Sequence, residues 1–285
     1  MKYINIAIQV LVLISLAPLV SGFIRVVKNN IRMRKGAPIL QPYYNLSKLM
    51  KKDEVVSEHT SFIFRLTPYI VFASSLTGLF LLPVLFSGGK PGAGIFLLII
   101  FLMALARFFT VLAGLDAGSS FGGMGSSREM FISGLIEPTA VLCVLVSVLS
   151  KDAGYSLLLA GGAFLFVVIA ETSRIPVDNQ ETHLELTMVH EAMILEYSGR
   201  SLALIEYGSY IKQIVLFALL ADVFFSFGIK AGGVVSAGLF LAKIAVISCV
   251  IAILEVSIAK MRLFKIVNYV LLAFLLAFAA LVAAF

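Results

Sequence analysis

The amino-acid sequence predicts an all-α integral membrane protein with about eight transmembrane helices and a cytoplasmic amphipathic helix after the first. Hydrophobic residues make up 60% of the 285 positions and charged residues only 13%, which is far too apolar for a water-soluble chain. The apolar residues form blocks of about 20, the length that an α-helix needs to cross about 30 Å of hydrocarbon. Such blocks exclude an outer-membrane β-barrel, whose strands are alternating segments of about 10 residues. We expect one membrane domain over residues 1–285.

Polar breaks divide the apolar residues into eight predicted spans. They run over roughly 4–24, 67–87, 94–115, 131–150, 155–171, 202–227, 234–259 and 264–285. The first span could imitate a signal peptide, but its apolar run from Ile4 to Val20 is longer than a signal core. Arg25 and Lys28 follow it in place of a small-residue cleavage site. We therefore expect it to be a retained helix.

The distribution of lysine and arginine predicts the orientation. Of the 22 cationic residues, fifteen fall in the breaks after spans one, three, five and seven, and only four fall on the opposite side. The positive-inside bias makes the richer side cytoplasmic, with loops over about 25–66, 116–130 and 172–201. Both termini should then lie outside, in a multi-pass protein of the inner (cytoplasmic) membrane. The net charge of +6 needs no nucleic acid, because these cations would meet anionic lipid or a cytoplasmic partner.

The first two cytoplasmic loops are candidates for a lid or docking surface of a cavity that opens to the cytoplasm. Between Tyr44 and Phe64 apolar and charged residues are mixed, which predicts an amphipathic helix on the membrane surface; a solvated connector is the alternative. The second loop, 116–129, is rich in glycine and serine but lacks the Lys-Ser/Thr of a phosphate-binding loop, and a helix should begin at Ser126 or Ser127. The docking candidates are Arg32, Arg34, Lys35, Gln41 and Arg128.

The third loop concentrates titratable residues. The segment from Glu171 to Tyr207 holds seven of the sixteen acids and two of the three histidines. Asp178 after a proline, with Glu181 three positions later, fits a capping box, so part of the acidity could merely begin a helix. On such a helix His183 and His190 would share one face, and Glu181 and Glu185 another. The zinc-protease spacing fails because Ile194 stands where a second histidine is needed, and no metal site is expected.

Ionisable residues inside the spans are the second group of candidates, because charges in a bilayer normally face a protein interior or a wet cavity. Pro138 should leave the Gly134 carbonyl without a helical donor, so we expect a hydrated break beside Glu137. Glu171 and Arg174, three apart, could pair with each other. The charged residues of spans six and seven could equally form structural ion pairs, and the roles of Arg107 and Asp222 stay open.

These considerations give a predicted proton path and a predicted loop cluster. The path comprises Glu137, Glu171, Asp178, Glu181, Glu185, Glu196, Glu206, Lys212, Lys243 and Glu255, and the loop cluster comprises Asp116, Arg174, His183, His190 and Glu191. Cys143 and Cys249 lie in apolar blocks without metal-ligand spacing and are expected to be packing residues. The chain also lacks the local motifs of nucleotide hydrolysis, dinucleotide binding and serine hydrolysis. Any redox cofactor should therefore belong to a partner.

The third loop resembles a known family. Ala170-Glu-Thr-Ser-Arg-Ile-Pro-Val-Asp-Asn-Gln-Glu-Thr-His-Leu-Glu-Leu186, followed by Leu195-Glu-Tyr-Ser-Gly199, resembles the hallmark loop of the respiratory complex I subunit 1 family, the membrane subunits of NADH-quinone oxidoreductase. Lys35-Gly-Ala-Pro38 resembles that family's first loop. His183 in place of an acid and the longer stretch from Thr187 to Leu195 are more similar to the membrane-anchor subunits of group 4 membrane-bound [NiFe] hydrogenase and formate hydrogenlyase complexes.

The resemblance implies a membrane-anchor and ion-path subunit that is itself non-catalytic. It would couple electron transfer in a docked metal-cluster arm to translocation of protons or sodium. The implied partners are hydrogenase-like large and small (iron–sulfur) subunits on the cytoplasmic side and antiporter-like membrane subunits; the [NiFe] centre and iron–sulfur clusters would lie in partner subunits. A quinone-binding subunit of a respiratory complex I, an independent secondary transporter and a purely structural anchor are the alternatives.

Overall fold

A computed structural model describes residues 2–57, 60–82, 92–150, 154–179, 188–224 and 233–284, with side chains from residue 7 and from residue 235 in the first and last ranges. All regular structure in these ranges is helical. The helices are α1 Lys2–Ile31, α2 Gln41–Met50, α3 Phe62–Phe80, α4 Ala93–Asp116, α5 Ser120–Leu149, α6 Tyr155–Glu171, α7 His190–Ile194, α8 Gly199–Leu219, α9 Gly233–Ser257 and α10 Leu263–Val282. A π-helical turn, Leu220–Phe224, continues α8.

The predicted number of spans is confirmed. Seven of the described helices are long and apolar enough to cross a membrane, and α6 is a shorter apolar helix. Several boundaries were wrong, including both ends of the second span, which is helical over Phe62–Phe80. The first helix continues to Ile31, because the side chain of Lys28 is buried in an ion pair instead of ending the helix in water. The fifth helix begins at Ser120, where the Ser119 side chain accepts a hydrogen bond from the Gly122 amide at 3.1 Å.

The predicted loop over 116–129 is mostly helix, and glycines in the first turns of α5 let it pack closely against neighbouring segments. A Cβ added at Gly122 would overlap the carbonyl oxygen of Gly114, and one added at Gly125 would lie 2.8 Å from the Val189 carbonyl oxygen. The small residues therefore form a packing face that brings α5 against α4 and the segment before α7.

Two prolines inside spans are tolerated because tyrosines replace their missing N–H groups. Pro68 leaves the Phe64 carbonyl in α3 without an intrahelical donor, and the Tyr197 hydroxyl donates to it at 2.8 Å. Pro18 does the same to the Ile14 carbonyl in α1, which accepts from the Tyr207 hydroxyl at 3.3 Å. The rings of Phe64 and Tyr197 also stack, with centroids 3.9 Å apart. Helices α1 and α3 are thereby attached to the α8 region.

The loops that hold most candidate residues meet at one end of the bundle, which we call the loop face: α2, α7, and residues 32–40, 51–57, 60–61, 116–120, 172–179, 188–199 and 257–263. The Met261 amide donates to the Pro176 carbonyl at 2.9 Å. The Ser198 hydroxyl donates to the Val55 carbonyl at 2.9 Å and accepts from the Val55 amide at 2.8 Å. Gly199 adopts a positive φ of 51° where a Cβ would lie 2.6 Å from the Asp53 carbonyl oxygen.

The predicted amphipathic helix is present in part, as α2: the described residues 51–57 and 60–61 are not helical, and Phe62 already begins α3. It buries Pro42 and Leu46, while Tyr44 on another side is 60% exposed. Helix α2 packs on α8 and α1. Its placement on a membrane surface stays a prediction.

Candidate functional site

A buried arginine gathers three carboxylates from two other helices. Arg107 of α4 contacts Glu171 through Nη2, the Oε1 atom of Glu137 through Nη1 at 3.1 Å, and the Oε1 atom of Glu129 through Nε at 3.3 Å. Lys212 of α8 completes the group, with its Nζ 2.8 Å from the Glu171 Oε2 atom. We call these five residues the Arg107 cluster.

The sequence positions of the members explain their convergence. Glu129 and Glu137 are eight residues apart on α5, about two helical turns, so both project toward α4. Glu171 is the last residue of α6 and Arg107 lies in the second half of α4. The side chains of Arg107 and Glu171 are 7% and 9% exposed. Because buried charges are costly unless paired, this convergence is what permits them inside the bundle.

A cavity of about 60 Å³ adjoins the cluster. Arg107, Glu129, Glu171, Lys212 and His190 contribute to its wall. A water molecule needs roughly 10–15 Å³ of such space and two to four polar partners, so the cavity has room and partners for several. Polar groups in the wall support water as the occupant: of the described side chains, the Ser75 hydroxyl and the Gln213 amide nitrogen are buried there without a protein hydrogen-bond partner.

A second ion group lies next to the first. Glu255 of α9 bonds Lys28 Nζ at 2.8 Å and Arg174 Nη1 at 2.7 Å, and Arg174 Nη2 donates to the Gln213 side-chain oxygen at 3.0 Å. A cavity of about 30 Å³ beside this group shares wall residues with the larger one, namely Ser21 and Ser173.

The expected pairing of Glu171 with Arg174 was wrong. Helix α6 ends at Glu171 and the chain then turns at Ser173, where φ is +50°. The turn directs Arg174 to Glu255 while Glu171 points to Arg107 and Lys212. The ion pairs that we predicted as the structural alternative for spans six and seven are present.

Asp178 caps the start of α7. Residues 177–179 are not helical, and the Asp178 carboxylate accepts hydrogen bonds from the amides of Val189 at 3.2 Å and His190 at 3.0 Å, at the start of α7. Its other oxygen contacts Lys260 Nζ at 2.7 Å. The residues that would form the predicted capping-box helix after Asp178, including Glu181, His183 and Glu185, lie outside the described residues, so that helix stays a prediction.

His190 and Glu191 lie at the start of α7, on the loop side of the larger cavity. Burial lowers the pKa of His190, which favours the neutral imidazole. Burial raises the pKa of Glu191. Of the described chain, no three His, Cys, Asp or Glu side chains are arranged to hold a metal ion.

Four other candidates lie apart from the Arg107 cluster. Glu196 is exposed. Glu206 is half-buried and is influenced by the charge of Arg25. Asp222 lies in the π-helical turn with Lys243 Nζ 3.6 Å from its carboxylate.

Asp116 stabilises the start of α3, because its carboxylate accepts a hydrogen bond from the Ser61 amide at 2.8 Å.

The predicted break at Pro138 was wrong, since α5 runs through this proline without interruption. The side chain of Glu137 is nevertheless 43% exposed, so its carboxyl joins the Arg107 cluster to the outer surface of this chain.

The docking candidates differ in their surroundings. Arg32, Arg34 and Lys35 are exposed at the loop face. Gln41 bonds Asn45 within α2 at 3.0 Å. Arg128 donates to the Met188 carbonyl at 3.1 Å and so holds the segment before α7.

Glu129 was not predicted as a site residue, and Arg107 was left without a role. Their signal was the eight-residue spacing of Glu129 and Glu137, which places two acids on one helix face, together with an isolated arginine in span three.

Comparisons with known proteins agree with the fold. A family model described as NADH dehydrogenase matches residues 4–285. Formate hydrogenlyase subunit 4 of Escherichia coli (strain K12) is 34% identical over 281 residues, which cover 90% of each chain. Hydrogenase-4 component C of the same organism is 35% identical over 238 residues, covering 77% of this chain and 74% of that one.

More distant relatives extend the comparison. An NADH-quinone oxidoreductase subunit of Rickettsia africae (strain ESF-5) is 28% identical over 207 residues, 65% of this chain and 60% of that one. A chain from the structure of the membrane-bound sulfane sulfur reductase, an archaeal respiratory membrane complex, superposes with a TM-score of 0.80 at 16% identity over 99% of this chain and 100% of that one, which shows a shared fold. The resemblance inferred from the third loop is confirmed. The chain therefore belongs to the NADH dehydrogenase family of membrane proteins.

Proposed function

We propose that the chain is the membrane-anchor and ion-path subunit of a complex I-like, hydrogenase-type oxidoreductase, and that the Arg107 cluster relays protons. The similarity to formate hydrogenlyase subunit 4 over nine-tenths of both chains supports a subunit of this kind. The larger complex would contain a soluble arm on the loop face, with the [NiFe] centre and iron–sulfur clusters in that arm, and antiporter-like membrane subunits.

One observation carries the relay: three carboxyls share two cations beside a cavity with room for several water molecules. Carboxyls packed together in a low-dielectric site respond strongly to a change of nearby charge. Water in the cavity would give them a proton donor and acceptor. A purely structural ion pair needs neither the third carboxyl nor the cavity.

The loop face is the natural side for the arm and for the cytoplasm. Exposed cations project there from the segment after α1, and an excess of lysine and arginine favours the inside of the membrane. In this orientation both termini would lie outside the inner membrane. The exposed residues Arg32, Arg34 and Lys35 would contact the arm.

Coupling would pass through the segment between α6 and α7. Asp178 holds the start of α7 by two backbone hydrogen bonds, and α7 places His190 in the wall of the larger cavity. A charge change in a docked arm would alter the electrostatic potential at His190 and at the Arg107 cluster. The cluster would take up or release a proton in response, and Glu137 would pass it to a neighbouring membrane subunit.

The size of the cavity favours water over a quinone as its occupant. Small-molecule pockets usually enclose about 300–1,000 Å³. The cavity at the Arg107 cluster is about 60 Å³. A quinone-binding subunit is therefore the weaker proposal for this site.

Proton translocation by the whole complex in sealed vesicles tests the proposal. Glu171→Gln should abolish coupled proton movement, because it removes the carboxylate that both Arg107 and Lys212 contact. Asp53→Asn removes a carboxylate that is exposed at the loop face and serves as the matched control. Co-purification of the partner subunits would establish that both variants assemble. Normal proton movement in an assembled Glu171→Gln complex would refute the relay.

A further inference from the structure

We propose that Glu129 is the carboxyl of the Arg107 cluster that binds and releases the transferred proton, with Glu171 as a permanently ionised anchor. This inference rests on the proposed relay and assigns its loading site. Glu129 stands apart from the acids of the loop motif, and its position in the first third of α5 gave no such role from sequence alone.

The net charge of the cluster favours protonation of one of its three carboxyls. Glu129, Glu137 and Glu171 face Arg107 and Lys212, so three acids meet two cations. If all are ionised, the buried group carries one net negative charge, which is costly away from water. Binding of one proton makes the group neutral. The cluster therefore has two states that differ by one proton.

Contacts with the cations distinguish the three acids. Glu171 touches both Arg107 and Lys212, the strongest stabilisation of a carboxylate in the group. Glu137 accepts a hydrogen bond from Arg107 Nη1 at 3.1 Å and is 43% exposed. Glu129 contacts Arg107 Nε at 3.3 Å, the longest of the three contacts with Arg107, and no other cation. The longest single contact stabilises the charged carboxylate least.

Burial points to the same residue. The side chain of Glu129 is 14% exposed, about a third of the value for Glu137. Glu129 is thus weakly paired as well as poorly hydrated, and both favour its neutral form. The proton should reside on Glu129 when the cluster is neutral.

The position of Glu129 gives it access to the loop face. It lines the larger cavity together with His190, which begins α7. The preceding residue, Arg128, bonds the Met188 carbonyl just before α7. A movement of Met188 and Val189, just before α7, would thus change the surroundings of Glu129 before those of Glu137, which lies two turns further along α5.

The charged and titratable groups around Glu129 lie on four neighbouring helices and in the segment after α6. They are Arg107 on α4, Glu171 at the end of α6, Asp178 before α7, His190 on α7 and Lys212 on α8. In the proposed step the Glu129 carboxylate takes one proton from cavity water, and the cluster changes from one net negative charge to neutral. Transfer of that proton to Glu137 keeps the cluster neutral, and its release from Glu137 at the outer surface of the chain restores the negative charge.

Infrared difference spectroscopy of the assembled complex, combined with vesicle assays, tests the assignment. A protonated carboxyl has a carbonyl stretching band that a carboxylate lacks. This band, and coupled proton movement, should be lost in Glu129→Gln; Glu129→Asp should recover both in part. Asp53→Asn should keep the band. A structural role would not make the band depend on residue 129.

The outcomes separate this inference from the relay itself. Loss of proton movement in Glu171→Gln with normal movement or an unchanged band in Glu129→Gln would overturn only the assignment of Glu129. Normal proton movement in both variants would overturn the relay as well.

Discussion

The tyrosine–proline pairing can be tested by a double-mutant cycle. Tyr197→Phe removes the hydroxyl that donates to the Phe64 carbonyl at 2.8 Å but keeps the ring that stacks on Phe64. Since Pro68 supplies no N–H, the buried carbonyl would then lack a donor. An unsatisfied buried group costs about 1–3 kcal/mol, and we expect a loss of that size in the free energy of unfolding.

The second arm of the cycle restores the missing donor. In a Pro68→Ala background the alanine amide can bond the Phe64 carbonyl within α3, so Tyr197→Phe should cost much less than in the natural chain. The two changes should couple by about 1–2 kcal/mol. Unfolding of the purified protein in detergent micelles, followed by circular dichroism, measures all four variants.

Tyr207→Phe is the matched comparison, because Tyr207 donates to the Ile14 carbonyl at the longer distance of 3.3 Å. Its effect should be smaller. An equal cost of Tyr197→Phe with and without Pro68 would refute the idea that the hydroxyl replaces the missing amide.

Three further predictions concern packing, charge and pH. Gly122→Ala should lower the free energy of unfolding by about 1–3 kcal/mol, because the added Cβ would overlap the Gly114 carbonyl oxygen. Gly123→Ala has open space around its Cβ and should be neutral or stabilise α5 by up to about 1 kcal/mol. Equal unfolding midpoints of the two variants in detergent would contradict this packing. Glu255→Gln leaves two buried cations without their carboxylate and should cost about 3–5 kcal/mol in the same assay; a loss below about 1 kcal/mol would contradict a buried pair. Burial lowers the pKa of His190, so the unfolded chain binds this proton at a higher pH than the folded chain does. The free energy of unfolding should therefore fall as the pH drops below about 6.5, the ordinary pKa of histidine. His190→Gln should reduce the loss of melting temperature on acidification, and an unchanged loss would contradict this reasoning.

The spans were predictable because the bilayer fixes their length. A run of about 20 apolar residues has one favourable structure in lipid, the helix, and the eight predicted blocks match eight helices. Helix ends were less predictable. Lys28 is typical of the polar end of a span, but its charge is neutralised inside the protein by Glu255, and the helix continues.

The candidate site was only partly predictable, because ion pairing in a bundle depends on contacts between distant segments. Local spacing suggested that Glu171 pairs with Arg174, whereas Glu171 meets Arg107, far away in the chain. Nothing in the sequence around either residue indicates that contact. Spacing along one helix is more informative, and the separation of Glu129 and Glu137 contained a signal that two acids share one face of α5.

The number of protons moved per electron pair in sealed vesicles tests the central claim most directly, measured with the whole complex carrying Glu137→Gln. Glu137 joins the Arg107 cluster to the outer surface of the chain, and glutamine keeps its size while removing its charge and its capacity to carry a proton. A relay through the cluster predicts that this ratio collapses in Glu137→Gln while Asp53→Asn keeps the natural value. An unchanged ratio in an assembled Glu137→Gln complex would contradict it.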